Sequence, residues 1–91
     1  MPNIHSAKKR MRQDRVRRAR NRSRRATMRT ALKRVDDAIA AGDKDAIQAS
    51  WRDAQATLDR TARVGAIPRN TASRKNARIA RRIQSILNAA D

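Results

Sequence analysis

Residues 12–25, RQDRVRRARNRSRR, hold eight arginines against a single acidic residue, Asp14, and no fold open to this chain can bury them. On a helix, at about 100° per residue, those eight side chains leave no gap wider than about 80°, so the segment has no protected face. The only sizeable apolar residues nearby are Met11 and Val16. Like charges also meet along it. Arg12/Arg15, Arg15/Arg18, Arg17/Arg20, Arg22/Arg25, Arg18/Arg22 and Arg20/Arg24 stand three or four apart, and six such pairs oppose the helix by about 1–3 kcal/mol in total. Packing against the chain's own core cannot hold this stretch. A polyanion on several sides of it turns the repulsion into attraction. Without one, the free chain is expected to be helical only from about residue 26 onward.

The remainder reads as helix throughout. Met28, Leu32, Val35 and Ile39 step by four, three and four; Ile47, Trp51, Ala54 and Leu58 repeat that step; Ile79, Ile83 and Ile86 follow, with Leu87 beside them. Each set makes one apolar stripe, and the plain reading of every member, Trp51 included, is core packing. Gly42 and Asp43 suit a helix C-cap followed by an N-cap. Gly65 closes the second run, and Pro68 suits a first helical turn. No strand alternation or internal repeat is visible. The expected fold is all-α, an up-down-up three-helix bundle with helices over about 6–41, 43–64 and 69–90. The first would run about 54 Å at 1.5 Å per residue. Only its last twenty or so residues have partners to pack on, so residues 6 to about 22 must project as an extended N-terminal helix. The chain is expected to form a single domain, 1–91, with a basic arm over 1–25 and the bundle over 26–91.

Charge follows that division. The chain carries 24 Lys and Arg against 8 acidic residues, net +16 over 91 residues. The stretches 1–35 and 63–91 are strongly positive, and 36–62 is net negative. Such a charge destabilises a compact state unless a polyanion lies beside it. Arginine outnumbers lysine, 19 to 5, and its planar fork matches phosphate oxygens two at a time. With one Trp, no Phe and no Tyr, the chain lacks the stacking platforms that single-strand readers use. What remains is phosphate and groove recognition of folded, mostly double-helical nucleic acid. An arm basic on all faces fits crevices between RNA helices better than one groove of a duplex. The arm arginines expected to meet phosphate are Arg12, Arg15, Arg17, Arg18, Arg20, Arg22, Arg24 and Arg25.

Other chemistries find no support. There is no cysteine, hence no disulfide framework or thiolate metal site. The longest apolar run, Ala38 to Ala41, is far too short to span a bilayer. Residues 8–25 lack the apolar face of a mitochondrial presequence, so the N-terminus is read as part of the working protein. His5, the only histidine, sits in the basic tip as a phosphate neighbour rather than a general base. Asp36, Asp37, Asp43, Asp45, Asp53 and Asp59 are better explained by helix starts and local pairing than by a metal. No catalytic residue, metal or cofactor is expected.

Four segments, in order and correctly spaced, resemble one family over nearly the whole chain. They are PNIHSAKKR (Pro2–Arg10), NRSRRATMRT (Asn21–Thr30), AIAAGDKDA (Ala38–Ala46) and LDRTARVGAIPRNTASRKNARI (Leu58–Ile79). The chain is similar to the bacterial small-subunit ribosomal proteins numbered twenty, the S-twenty family. Val64, Pro68 and Trp51 depart from that family's usual residues. The resemblance implies a three-helix bundle with a long first helix that binds 16S ribosomal RNA directly during small-subunit assembly. It also implies RNA-facing roles for Lys8, Lys9, Arg10, Arg24, Arg25, Arg29, Arg69, Arg74, Lys75 and Arg78. The expected partners are therefore 16S ribosomal RNA and the rest of the small subunit, in the cytoplasm. No membrane, small-molecule substrate or self-association is expected. A basic architectural DNA-binding protein is the alternative, disfavoured by the lack of a β-ribbon or an exposed apolar wedge. Arg24, Arg25 and Arg29 are expected to matter more for binding than Arg52, Arg60 and Arg63, which lie near Asp53 and Asp59.

Overall fold

The computed structural model describes residues 4–89; Pro2 and Asn3 of the N-terminal signature lie outside them. Three helices account for nearly all of it: α1 over Ile4–Ala41, α2 over Lys44–Arg63 and α3 over Arg69–Ala89. The turns between them fall where glycine permits. Gly42, at φ +73°, donates its N–H to the carbonyls of Ala38 and Ile39 and closes α1. The Asp43 carboxylate then accepts from the N–H groups of Asp45 and Ala46 at 3.1 and 3.3 Å, satisfying two of the donors that every helix start leaves open. At the end of α2, Gly65 (φ +80°) donates to Ala62 O and Ala66 donates to Thr61 O. These are the paired bonds of a Schellman cap, in which a left-handed residue is required. Pro68 stands one residue before α3 rather than within its first turn, and its carbonyl accepts from the N–H of Ala72 at 3.2 Å.

The expected stripes meet. Val35 of α1, Ile47 of α2 and Ile83 of α3 are 1%, 1% and 0% exposed. They form one cluster with Ala31, Ala38 and Ala54, against which Leu32, Ile39, Trp51, Ile79 and Leu87 pack. A second cluster of Met28, Leu58, Ile67 and Ala72 joins α1 to the far turn and the start of α3. Three features extend the sequence reading. Ala31, Ala38 and Ala72 are core residues, because small side chains let the helices approach closely. Ile67, in the second turn, plugs the end of the bundle. Thr57 and Thr61 are buried, their hydroxyls donating back one turn to Asp53 O (2.8 Å) and Thr57 O (2.6 Å), so neither buries an unmet donor.

Before Asn21 no described residue packs. Every described residue from Ile4 to Arg20 is exposed, and at 1.5 Å per residue that length projects about 25 Å. The molecule accordingly measures 71 × 21 × 14 Å, with a radius of gyration of 18.1 Å where a compact chain of this length would have about 12 Å. The projection matches expectation, and the helix runs without a break to Ile4, close to the expected start at about residue 6. The reason is cooperativity: nucleation is completed in the packed half of α1, and each residue added toward the N-terminus gains one backbone bond.

Two outcomes follow. An arm with no tertiary contact opens at low free energy, so amide exchange in the free protein should be fast over residues 8–20 and slow over 28–40. Strong protection of 10–22 without a polyanion would show an arm that sustains its own helix. Ile83→Ala should cost about 2–5 kcal/mol in urea unfolding followed by circular dichroism, a large share of the stability of so small a bundle, because Ile83 is the one large side chain that α3 buries completely.

Candidate nucleic-acid interface

The basic residues fall into three groups. The first is the arm. Lys8, Lys9, Arg10, Arg12, Arg15, Arg17, Arg18, Arg20 and Arg22 are all exposed. The two ion pairs among the described residues, Arg63 with Asp59 and Arg82 with Asp36, involve none of them. Helical rotation spreads them round the axis, so the arm is a rod of positive charge about 25 Å long with no neutral side.

The second group lies where α1 enters the bundle. Arg29 is exposed, and Arg24 and Arg25 are half-buried. Arg24 Nη1 donates to Asn21 Oδ1 at 3.4 Å, and Arg25 Nη1 donates to the Ala66 carbonyl at 3.3 Å. Arg25 therefore has internal company that its sequence neighbours do not suggest. It ties α1 to the turn between α2 and α3, 41 residues on, with the other donors of its fork left over.

The third group is on the first half of α3. Arg69, Arg74 and Arg78 are exposed and Lys75 is half-buried. Packing of Met28 against Ile67 and Ala72 brings this part of α3 beside the second group, at the end of the bundle from which the arm leaves. The group is not one surface. At 100° per residue Arg74, Lys75 and Arg78 share one side of α3, while Arg69 is on the other. Arg69 borders a cleft with Asp59 and Arg63.

Three cations escaped the sequence reading. Arg81 is exposed and continues the face of Arg74 and Arg78; the three-four spacing was there to be seen. Arg34 and Arg60 line a groove between α1 and α2, which required the relative rotation of two helices. Arg63 does pair with Asp59 as its neighbourhood suggests, whereas Arg60 makes no ion pair among the described residues and lines the groove with Arg24 and Arg34.

Acidic residues collect at the opposite end. Asp36, Asp37, Asp43 and Asp45 flank the first turn. Asp36 accepts from Arg82 Nη1 at 2.6 Å, joining α1 to α3, and Asp43 caps α2. With Lys44 between Asp43 and Asp45 and Arg82 paired to Asp36, that end is close to neutral, so charge is graded along the long axis and a polyanion is drawn most strongly to the arm end. Among the described residues no group of carboxylates or histidine is placed to hold a metal, and no helix is long and apolar enough to cross a membrane.

Comparison with known proteins agrees with this geometry. Residues 2–84 match the model of the family described as Ribosomal protein S20. The small ribosomal subunit protein bS20 of Ruegeria sp. (strain TM1040) is 46% identical over 86 residues, covering 94% of this chain and 99% of that protein. The bS20 proteins of Gluconobacter oxydans and Proteus mirabilis are 44% and 45% identical, covering 98% and 94% of this chain and the whole of each relative. These are structural ribosomal proteins, not enzymes. With the match running from the first residues of the arm into the last turns of α3, the chain belongs to the ribosomal protein S20 family.

Proposed function

We propose that this chain is a structural constituent of the small ribosomal subunit that binds 16S ribosomal RNA directly and holds its fold during assembly. The observation that carries the reading is the arm, which is helical, exposed on every side, and basic all round with Asp14 as its only acid. Such an element is stabilised only where phosphates approach from several directions, as they do between packed RNA helices. The names carried by the relatives point the same way. Arg12, Arg15, Arg17, Arg18, Arg20 and Arg22, with Lys8, Lys9 and Arg10, enter the RNA. Arg24, Arg25 and Arg29 grip phosphates at the arm's root. Arg74, Lys75 and Arg78 meet a second strand along α3, and Arg69 a third position across it. The chain acts as one unit, residues 1–25 penetrating and 26–91 anchoring. It works as a single copy on cytoplasmic ribosomes, with no membrane or small-molecule partner.

Charge neutralisation sets the affinity. If about eight phosphates are neutralised, log K for 16S ribosomal RNA should fall with log salt with a slope of about −7. A slope shallower than about −3 would place the affinity elsewhere.

Location matters beyond total charge. Changing Arg18 and Arg22 to glutamine should weaken binding by at least about a hundredfold, since each charge-assisted bond to phosphate contributes roughly 1.5–3 kcal/mol. The same change at Arg52 and Arg63 removes equal charge, yet should cost less than about tenfold, because both are screened by solvent and Arg63 is already paired with Asp59. Filter binding at matched salt measures both. Equal losses would mean that net charge alone drives association.

A further inference from the structure

The groove between α1 and α2 encloses about 580 Å³ and is built from two facing polar ridges. Thr27, Thr30 and Arg34 step by three and four along α1; Asp53, Thr57 and Arg60 step by four and three along α2. Each trio lies within about 60° on its helix, and Arg24 closes the end nearest the arm.

The hydrogen-bonding state of these walls is specific. Thr27 Oγ1 donates to Ser23 O at 3.1 Å, and Thr30 Oγ1 donates to Ala26 O at 3.0 Å. Both hydroxyl protons are thus committed to the helix, and toward the groove these oxygens can only accept. The Asp53 carboxylate is an acceptor as well, and it pairs with no cation among the described residues. Arg24, Arg34 and Arg60 are donors only. The groove therefore asks for a ligand that alternates anionic acceptors with neutral donors. Phosphate alone satisfies the arginines and leaves the threonines and Asp53 facing like-signed oxygens. Deoxyribose–phosphate has no donor to offer between its phosphates. Ribose–phosphate has one at every sugar, the 2′-OH, displayed along the wide minor groove of an A-form helix.

We infer that this groove seats one ribose–phosphate strand of double-helical RNA. Arg24, Arg34 and Arg60 hold its phosphates, while Thr27, Thr30 and Asp53 accept from its 2′-hydroxyls. The inference rests on the RNA-binding reading above and adds to it a second surface on the bundle and a means of telling RNA from DNA. Arg34, Arg60 and Asp53, which charge along the sequence places in or beside an acidic middle, become part of the recognition surface.

The test uses the full chain and two A-form duplexes of one sequence, unmodified RNA and its 2′-O-methyl counterpart, in which every 2′ donor is removed. Wild type should prefer the unmodified duplex about tenfold, the worth of one or two hydrogen bonds. Thr27→Val/Thr30→Val, at two exposed positions, should shrink that preference to less than about threefold while binding the methylated duplex as wild type does. Arg34→Gln/Arg60→Gln should weaken both duplexes alike. Circular dichroism confirms matched helicity. A wild-type chain indifferent to methylation overturns the inference without use of any variant, and so does a preference that survives Thr27→Val/Thr30→Val. Either result leaves the broader reading intact if wild type still binds 16S ribosomal RNA tightly. Failure to bind that RNA at all would sink the broader reading instead.

Discussion

One small apolar layer, where Val35, Ile47 and Ile83 meet, has to hold together a molecule whose longest element has half its length outside the core. The bundle is short of hydrophobic material. Its only aromatic residue, Trp51, is half-buried, and much of its packing comes from alanine. Capping and cross-links share the remaining burden. Asp43 and the two left-handed glycines close helix ends, Asp36 with Arg82 bridges α1 to α3, and Arg25 reaches the Ala66 carbonyl. Exposed pairs of this kind contribute little each. The rotation of α1, and so which of its arginines face outward, is set by the burial of Met28, Ala31, Val35 and Ala38.

The same economy explains the sorting of charge. A bundle this small cannot tolerate +16 spread evenly over it, because self-repulsion would act on every pair of helices. Putting much of the positive charge on an arm that packs on nothing keeps it away from the core. Four of the eight acidic residues, Asp36, Asp37, Asp43 and Asp45, sit around the first turn, where Asp43 and Asp45 favour the start of α2. What destabilises the free chain is concentrated in the part that a polyanion would complete.

How far sequence foretold this depends on the range of each interaction. The stripes of Met28 to Ile39 and Ile47 to Leu58 are legible because helical spacing is local, and the turns at Gly42 and Gly65 because a left-handed residue has few substitutes. The arm's projection followed from comparing helix length with available partners. Burial of Ala31, Ala38, Thr57 and Thr61 was not legible, since small or hydroxylated side chains do not mark a stripe. Neither was the bond from Arg25 to Ala66, nor the pairing of Asp36 with Arg82 across 46 residues. Both depend on how two helices are rotated against one another. At the candidate interface, the arm residues could be chosen from composition alone. Arg34 and Arg60 could not, because the groove exists only once α1 and α2 are set side by side.

Continuity of α1 is what makes the arm usable. Were residues 4–20 joined to the bundle by a flexible linker, ordering them on RNA would cost about 1–2 kcal/mol of backbone entropy for every residue fixed. That would consume much of what the arginines gain from phosphate. Because α1 runs unbroken from Ala41 to Ile4, the costly nucleus is already formed where Met28, Ala31 and Val35 are buried, and each arm residue is a propagation step close to neutral. The main opposing term left is repulsion among the arginines themselves, which phosphates remove on contact. The direction of the helix axis is fixed at the same time, so a polyanion would meet the arm at an angle set by the packing of α1 on α2. A bundle of modest stability can in this way aim a rod of charge that it does not touch.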